Sequence, residues 1–402
     1  MASLLKKVAS SILNSTWQRH SVPLENMIGA YGSWASDLVG DGPAKLSFLQ
    51  TEFDDVETWR DIARGRLLTC LAQPDLGLVS DLKVDKQYTH DGLHIEELSW
   101  QLSVGPRTQA VFLKPVGATG PLPAVLGLHC HGGKKYFGKR KITRTSDDPH
   151  PLIREHHDHY YGGVAWANEL AKRGFAVLVH DTFPFASRRV RVEDVPDHIR
   201  HGLTDNDPEA RENIEAYNRW AAQHEDIMAK SLFCAGTTWP GVFLTEDQRA
   251  LDVLCSREDV DSDRVGCGGL SGGGMRTVFL GGSDDRIKCA VCVGMMSTWR
   301  DYLLNKCHTH TWMVVVPLLA SDLDYGEILG LRAPLPTLVL NNSEDQLFTL
   351  PEMERADGNL AKIFKKAGAE EKYRCNFYPG PHKFDLEMQA DAFEWFDQWL
   401  RL

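Results

Sequence analysis

Gly269-Leu270-Ser271-Gly272-Gly273 decides how this chain is read. The stretch fits G-x-S-x-G, a pattern that marks a serine on a sharp strand-to-helix turn with its hydroxyl lifted to the lip of a sheet. Glycines flank such a serine because a β-carbon on either side would clash with the neighbouring strand or helix. A pentapeptide of such common residues also arises by chance, so its surroundings carry the argument. Upstream, Arg264-Val265-Gly266-Cys267-Gly268 is short and mostly small and apolar, as a buried parallel strand is. Downstream, Met275, Val278 and Phe279 begin a helical spacing. Asp261-Ser262-Asp263 is expected to mark the turn into the strand, and Thr245-Glu246-Asp247-Gln248 reads as a capping box opening a helix through Ala250, Leu251 and Leu254. The order is therefore helix, strand, candidate nucleophile, helix.

Further out, the same alternation continues. Ala124 to Leu128 and Phe175 to Val179 are apolar strand runs, separated by a polar loop and a helix carrying Val164, Ala167, Leu170 and Ala171. Leu335 to Leu340 and Tyr373 to Tyr378 are two more strands around a helix from Met353 to Ala367. Ala392, Phe393, Phe396, Trp399 and Leu400 form the apolar stripe of a terminal helix. Such alternation implies crossover connections, hence a mostly parallel central sheet with helices on both faces. Before it, Leu93, Ile95, Leu98, Trp100, Leu102 and Val104 alternate along antiparallel strands, with His90-Asp91-Gly92 as a turn. Residues 1–80 read as an N-terminal helical extension, in which Val56, Trp59, Ile62 and Ala63 share one apolar face. Residues 81–402 read as the catalytic domain, with two insertions, 182–238 and 296–333, too long for ordinary connections and expected to wall a cleft.

With 402 residues, 43% hydrophobic and 25% charged, the chain can bury a sizeable core. A formal net charge of −11 argues against nucleic acid or an anionic membrane as partner. The densest basic run, Arg188-Arg189-Val190-Arg191, reads as a solvated face. Nine cysteines without paired spacing make no disulfide framework, and Cys289-Ala290-Val291-Cys292 lacks a redox context. No secretory pattern and no run of about 18 apolar residues is evident, so a cytoplasmic location is expected.

A serine hydroxyl is too weakly acidic to attack an ester unaided; it needs a neutral imidazole to take its proton and a carboxylate to fix that imidazole's tautomer. When a serine stands on such an elbow, the acid follows a later strand and the histidine follows the last one. Asn341-Asn342-Ser343-Glu344-Asp345 and Pro379-Gly380-Pro381-His382 occupy those places. Asp345 is preferred to Glu344 because it lies further into its loop. An oxyanion would need two backbone donors: Gly272 after the serine, and the loop His131-Gly132-Gly133 after the strand ending at Leu128, with Gly132 and Gly133 as the expected second source. A metal is disfavoured, because the His156-His157-Asp158-His159 run has no ligand spacing of a known kind if extended.

From about Leu93 to Leu402 the chain resembles the dienelactone hydrolase and acetyl xylan esterase branch of the α/β-hydrolases. The resemblance is carried by His129 to Gly133, Gly138-Lys139, Tyr161-Gly162-Gly163, Ser187-Arg188-Arg189, Thr238-Trp239-Pro240-Gly241, Gly269 to Gly274, Asp284-Asp285-Arg286, Asn341 to Asp345 and Pro381-His382-Lys383-Phe384. It implies an α/β-hydrolase fold and a serine carboxylesterase using Ser271, Asp345 and His382, with no cofactor. Its substrate would be a small-molecule ester, of the kind a short-chain acyl or acetylated-sugar ester represents. Lys134, Trp239 and His310 are the expected substrate contacts. Two departures bear on substrate: dienelactone hydrolases proper carry cysteine where Ser271 stands, and sugar deacetylases place Gln where this chain has Gly272. One triad can also serve a thioesterase or a peptidase, and the scaffold can serve a non-catalytic binding protein.

Overall fold

The computed structural model describes residues 25–205 and 207–401; the first part of the expected N-terminal extension, 1–24, lies outside them. Nine strands form one mixed sheet: β1 (Ser80–His90), β2 (Leu93–Gln101), β3 (Thr108–Pro115), β4 (Leu122–Gly127), β5 (Ala176–His180), β6 (Val260–Leu270), β7 (Ile287–Val293), β8 (Thr337–Asn342) and β9 (Tyr373–Tyr378). Their spatial order is β1-β2-β3-β5-β4-β6-β7-β8-β9. The first three and the β3–β5 pair are antiparallel, and every pair from β5 to β9 is parallel. Asp91 and Gly92 join β1 to β2 with φ of 50° and 78°, the left-handed pair that a two-residue hairpin turn requires.

Side chains alternate between two cores because successive residues of a strand face opposite ways. Ala124 and Leu126, Ala176 and Leu178, and Ala290 and Cys292 enter one core with the helices Val56–Leu71, Trp239–Cys255, Gly272–Ser283 and Leu350–Lys366. Val125, Val177 and Val291 enter the other, under Trp166–Lys172 and Leu386–Leu400. Cys289 and Cys292 therefore point to opposite faces and cannot pair. No helix among the described residues is long and apolar enough to cross a membrane.

Several local expectations are corrected. The apolar face of Val56–Leu71 runs through Trp59, Ala63, Leu67 and Leu71, four residues apart, while Ile62 is 49% exposed. Asp261-Ser262-Asp263 lies inside β6 rather than in a turn before it. The supposed loop before Val164 contains a helix, Pro151–Tyr161, so the His156 run is helical rather than extended, with His156 and His157 buried. The helix assigned to a capping box at Thr245 instead begins at Trp239, where the Thr238 hydroxyl accepts the Gly241 N–H at 3.0 Å. Glu246 and Asp247 sit in its buried interior because each meets a cation. Arg188, expected on a solvated face, is 5% exposed and donates to Glu246 Oε1 (Nε, 3.1 Å). Asp247 accepts from Arg276 Nε at 3.1 and 3.0 Å and contacts His180 Nε2 at 3.0 Å.

The topology places the site. From β4 the chain crosses to β5 on one side, then returns to β6 on the other, so β4 and β6 are neighbours whose C-terminal ends diverge to opposite connections. Ligands bind parallel sheets in the crevice outside such a switch point.

Candidate active site

Ser271 follows β6 at φ 60° and ψ −119°, the strained conformation of a non-glycine residue on a tight elbow. Glycine is forced on both sides: a Cβ would lie 2.1 Å from the Leu128 carbonyl oxygen at Gly269 and 2.0 Å from it at Gly273. The Gly272–Ser283 helix that starts there is anchored by Arg276 in the buried network with Asp247 and His180, so the serine stands on an immobilised base. Its N-terminus also turns the positive end of a helix dipole toward the pocket.

Asp345 and His382 leave adjacent strands, β8 and β9. Ser343 N–H donates to Tyr378 O (2.8 Å), Glu344 N–H to Gly380 O (3.2 Å) and Lys383 N–H to the Asn342 side chain (3.1 Å). This lacing brings His382 Nδ1 to 2.6 Å from Asp345 Oδ2, while Asp345 Oδ1 accepts the Leu347 N–H at 2.9 Å. Glu344 is not the partner; it accepts the Gly380 N–H. With its proton on Nδ1, the imidazole leaves Nε2 as a base, and this buried atom has no hydrogen-bond partner among the described residues. Ser271 is tied to the same place: its N–H donates to Val293 O at 2.9 Å. The next residue, Gly294, packs on the ring so closely that a Cβ would stand 2.9 Å from His382 Cε1.

The loop after β4 completes the site. Leu128 N–H donates to Gly268 O at 2.9 Å, which seats the loop against the elbow. A Cβ at Gly272 would lie 2.9 Å from His131 N. Gly133, an expected oxyanion donor, differs: its N–H donates to His131 Nδ1 at 3.1 Å. The His131 amide is the one that lies against Gly272. His131 Nε2 in turn donates to Glu225 Oε1 at 2.9 Å, and Lys135 Nζ donates to the same oxygen. Burial, reinforced by Lys135, pushes the His131 pKa down to about 4, so the ring is neutral. Beneath the loop lies Lys141, 0% exposed, whose pKa burial lowers to about 7. Neither support follows from a motif, because Glu225 and Lys141 lie 94 and 10 positions from His131.

Ser271, Gly272, Asp345, His382, Gly132 and Gly133 line one cavity of about 420 Å³. His310 also lines it, its Nε2 2.9 Å from Leu347 O. Lys134 and Trp239 do not. Trp239 is 1% exposed and packs on Phe183 with ring centroids 5.6 Å apart, because it opens a core helix. The 296–333 stretch supplies wall residues Met313 and Val314, whereas the 182–238 stretch supplies none and instead braces the loop through Glu225.

No family model matches the chain. It is 27% identical over 309 residues to the protein named "Putative hydrolase YtaP" of Bacillus subtilis (strain 168), covering 76% of this chain and 88% of that one. Among solved structures, one titled a "putative acetyl xylan esterase" from Bacteroides fragilis NCTC 9343 superimposes with a TM-score of 0.61 at 14% identity, over 88% of this chain and 84% of the other. A glucuronoyl esterase from Solibacter usitatus gives a TM-score of 0.58 at 14% identity, over 88% and 97%. At these identities the likeness is one of fold.

Proposed function

Since the chain has the α/β-hydrolase fold, we propose that it is a serine esterase that cleaves carboxylic esters through an acyl-enzyme. The observation that carries this is the 2.6 Å contact between His382 Nδ1 and Asp345 Oδ2 in a cavity that also holds Ser271 on its strained elbow. His382 Nε2 takes the proton of the Ser271 hydroxyl as Oγ attacks the ester carbonyl. The negative oxygen that forms is met by the N–H of Gly272 and by an N–H from the loop after β4. Collapse of this intermediate expels the alcohol, which receives the proton from His382 Nε2. Water then attacks the acyl group, giving its proton to the same nitrogen, and Ser271 leaves with that proton, releasing a carboxylic acid.

The lining favours a small uncharged acyl group. Met275, Met295, Met313, Val314 and Leu347 give it apolar surface, and neither lysine nor arginine is present to neutralise a carboxylate. Thr309, Thr311 and Gln346 supply hydrogen-bonding partners for a hydroxylated alcohol such as an acetylated sugar. The relatives' names, a hydrolase and esterases of acetyl xylan and glucuronoyl groups, agree with ester chemistry in this fold. A fluorophosphonate probe is expected to label Ser271, and Ser271→Ala is expected to abolish both labelling and turnover of a short-chain aryl ester. An unlabelled serine, or full turnover by the variant, overturns the proposal.

A further inference from the structure

We propose that Lys141 is a positioning residue for the oxyanion-binding loop: its ammonium draws the loop carbonyls away from the pocket and thereby aims the N–H groups of His131 and Gly132 at the attacked carbonyl. This rests on the esterase reading above. Lys141 is wholly buried and does not line the cavity. Its Nζ donates to the carbonyl of Cys130, to that of His131 at 3.0 Å and to that of Lys134 at 3.4 Å, and lies 4.3 Å from the centroid of the Phe185 ring.

The geometry of the peptide bond supplies the next step. In a trans unit the C=O and N–H point in opposite directions. The unit carrying the Cys130 oxygen also carries the His131 N–H, and the unit carrying the His131 oxygen also carries the Gly132 N–H. Fixing both oxygens on one ammonium therefore turns both amides the other way, to the side where Gly272 approaches His131 N. Charge adds to direction: a cation on the oxygens polarises the same peptide units and makes their N–H groups stronger donors. The nearby carboxylates are already engaged, Asp181 by Lys139 at 2.8 Å and Glu225 by Lys135 and His131. The loop carbonyls are thus the ammonium's direct partners.

The test compares wild type with Lys141→Met at pH 6, below the value of about 7 to which burial lowers Lys141, so that the wild-type side chain is mostly the ammonium; the substitution keeps the length of the side chain and removes its charge. The expected result is a kcat about 100-fold lower, KM for a short-chain aryl ester changed less than about threefold, and an inhibition constant for a trifluoromethyl ketone, which forms an oxyanion on Ser271, weakened in step with kcat. An unchanged kcat, or a lost kcat with undiminished affinity for the ketone, overturns the proposal. Should Lys141→Met not fold, Lys141→Arg, which keeps a buried cation with shifted donors, is expected to show the same division in weaker form, with kcat about tenfold down and KM held. Wild-type kinetics in Lys141→Arg, or kcat and KM spoiled together, would also overturn it. Failure of the esterase reading is separable, because then wild type itself escapes the fluorophosphonate probe.

Discussion

His382 Nδ1 lies 2.6 Å from Asp345 Oδ2, a contact made between loops that leave two adjacent parallel strands. It fixes which nitrogen of the ring carries the proton, and so which one is free to act as a base. Asp345→Asn presents an amide that can favour the opposite tautomer. We expect kcat to drop about 10³- to 10⁴-fold with KM nearly unchanged, read by steady-state kinetics on an aryl ester. A loss under tenfold would place the acid elsewhere.

Gly294 controls the same ring from behind. At φ +56°, with His382 Cε1 2.9 Å from where a Cβ would stand, Gly294→Ala must displace the imidazole. A shift of about 1 Å costs about 100-fold in rate. The strained backbone costs about 1 to 3 kcal/mol of stability. Thermal melting and kinetics on the same sample check both, and full activity in a folded variant would show that the ring tolerates the intrusion.

Acyl selectivity should follow charge. With neither Lys nor Arg in the cavity lining, a hemisuccinyl ester would bury a carboxylate without a partner, at a cost of several kcal/mol. Acetyl and butyryl esters of one alcohol are expected to exceed it about 100-fold or more in kcat/KM, since 1.4 kcal/mol is a factor of ten. Comparable rates would mean that a cation reaches the pocket during turnover.

Glu327 offers a pH-dependent test away from the site. Its carboxyl is 2% exposed, paired with the Ser47 hydroxyl and with the Asp324 N–H at 3.0 Å, and burial pushes its pKa up to about 7. Because the unfolded chain ionises this group near 4.5, its contribution to stability is full below that pH and is lost as pH rises toward 7. Asp324, raised to about 6 by burial, changes in the same direction. Glu327→Gln removes the Glu327 part, so the variant should gain about 2 to 3 kcal/mol relative to wild type between pH 4.5 and 8. Urea unfolding of both proteins at the two pH values measures it; a difference that does not change with pH would show that the carboxyl ionises normally.

What the sequence made legible was local. The elbow around Ser271, the order of Ser271, Asp345 and His382, and the strand runs of the parallel sheet each have a signature within a few residues. What it hid was long-range. Glu246 and Asp247 looked like cap residues because their cations, Arg188 and Arg276, lie 58 and 29 positions away, and nothing nearby announces the pairing. Lys141 has no signature of its own, since its partners are backbone oxygens that carry no sequence mark. Trp239 looked like a pocket aromatic because burial in a core and burial against a ligand call for the same side chain. Gly133 fitted the oxyanion pattern, yet its amide is taken by a side chain two residues earlier, a detail of loop conformation that a motif does not encode.

β9 is an edge strand of the sheet, held on one side only, by β8, and it delivers His382. The serine and its glycine loop belong to the interior strands β4 and β6. The site is thus divided between the interior of the sheet and one of its borders, and mild denaturant should cost ester turnover, by fraying that border, before the interior strands come apart.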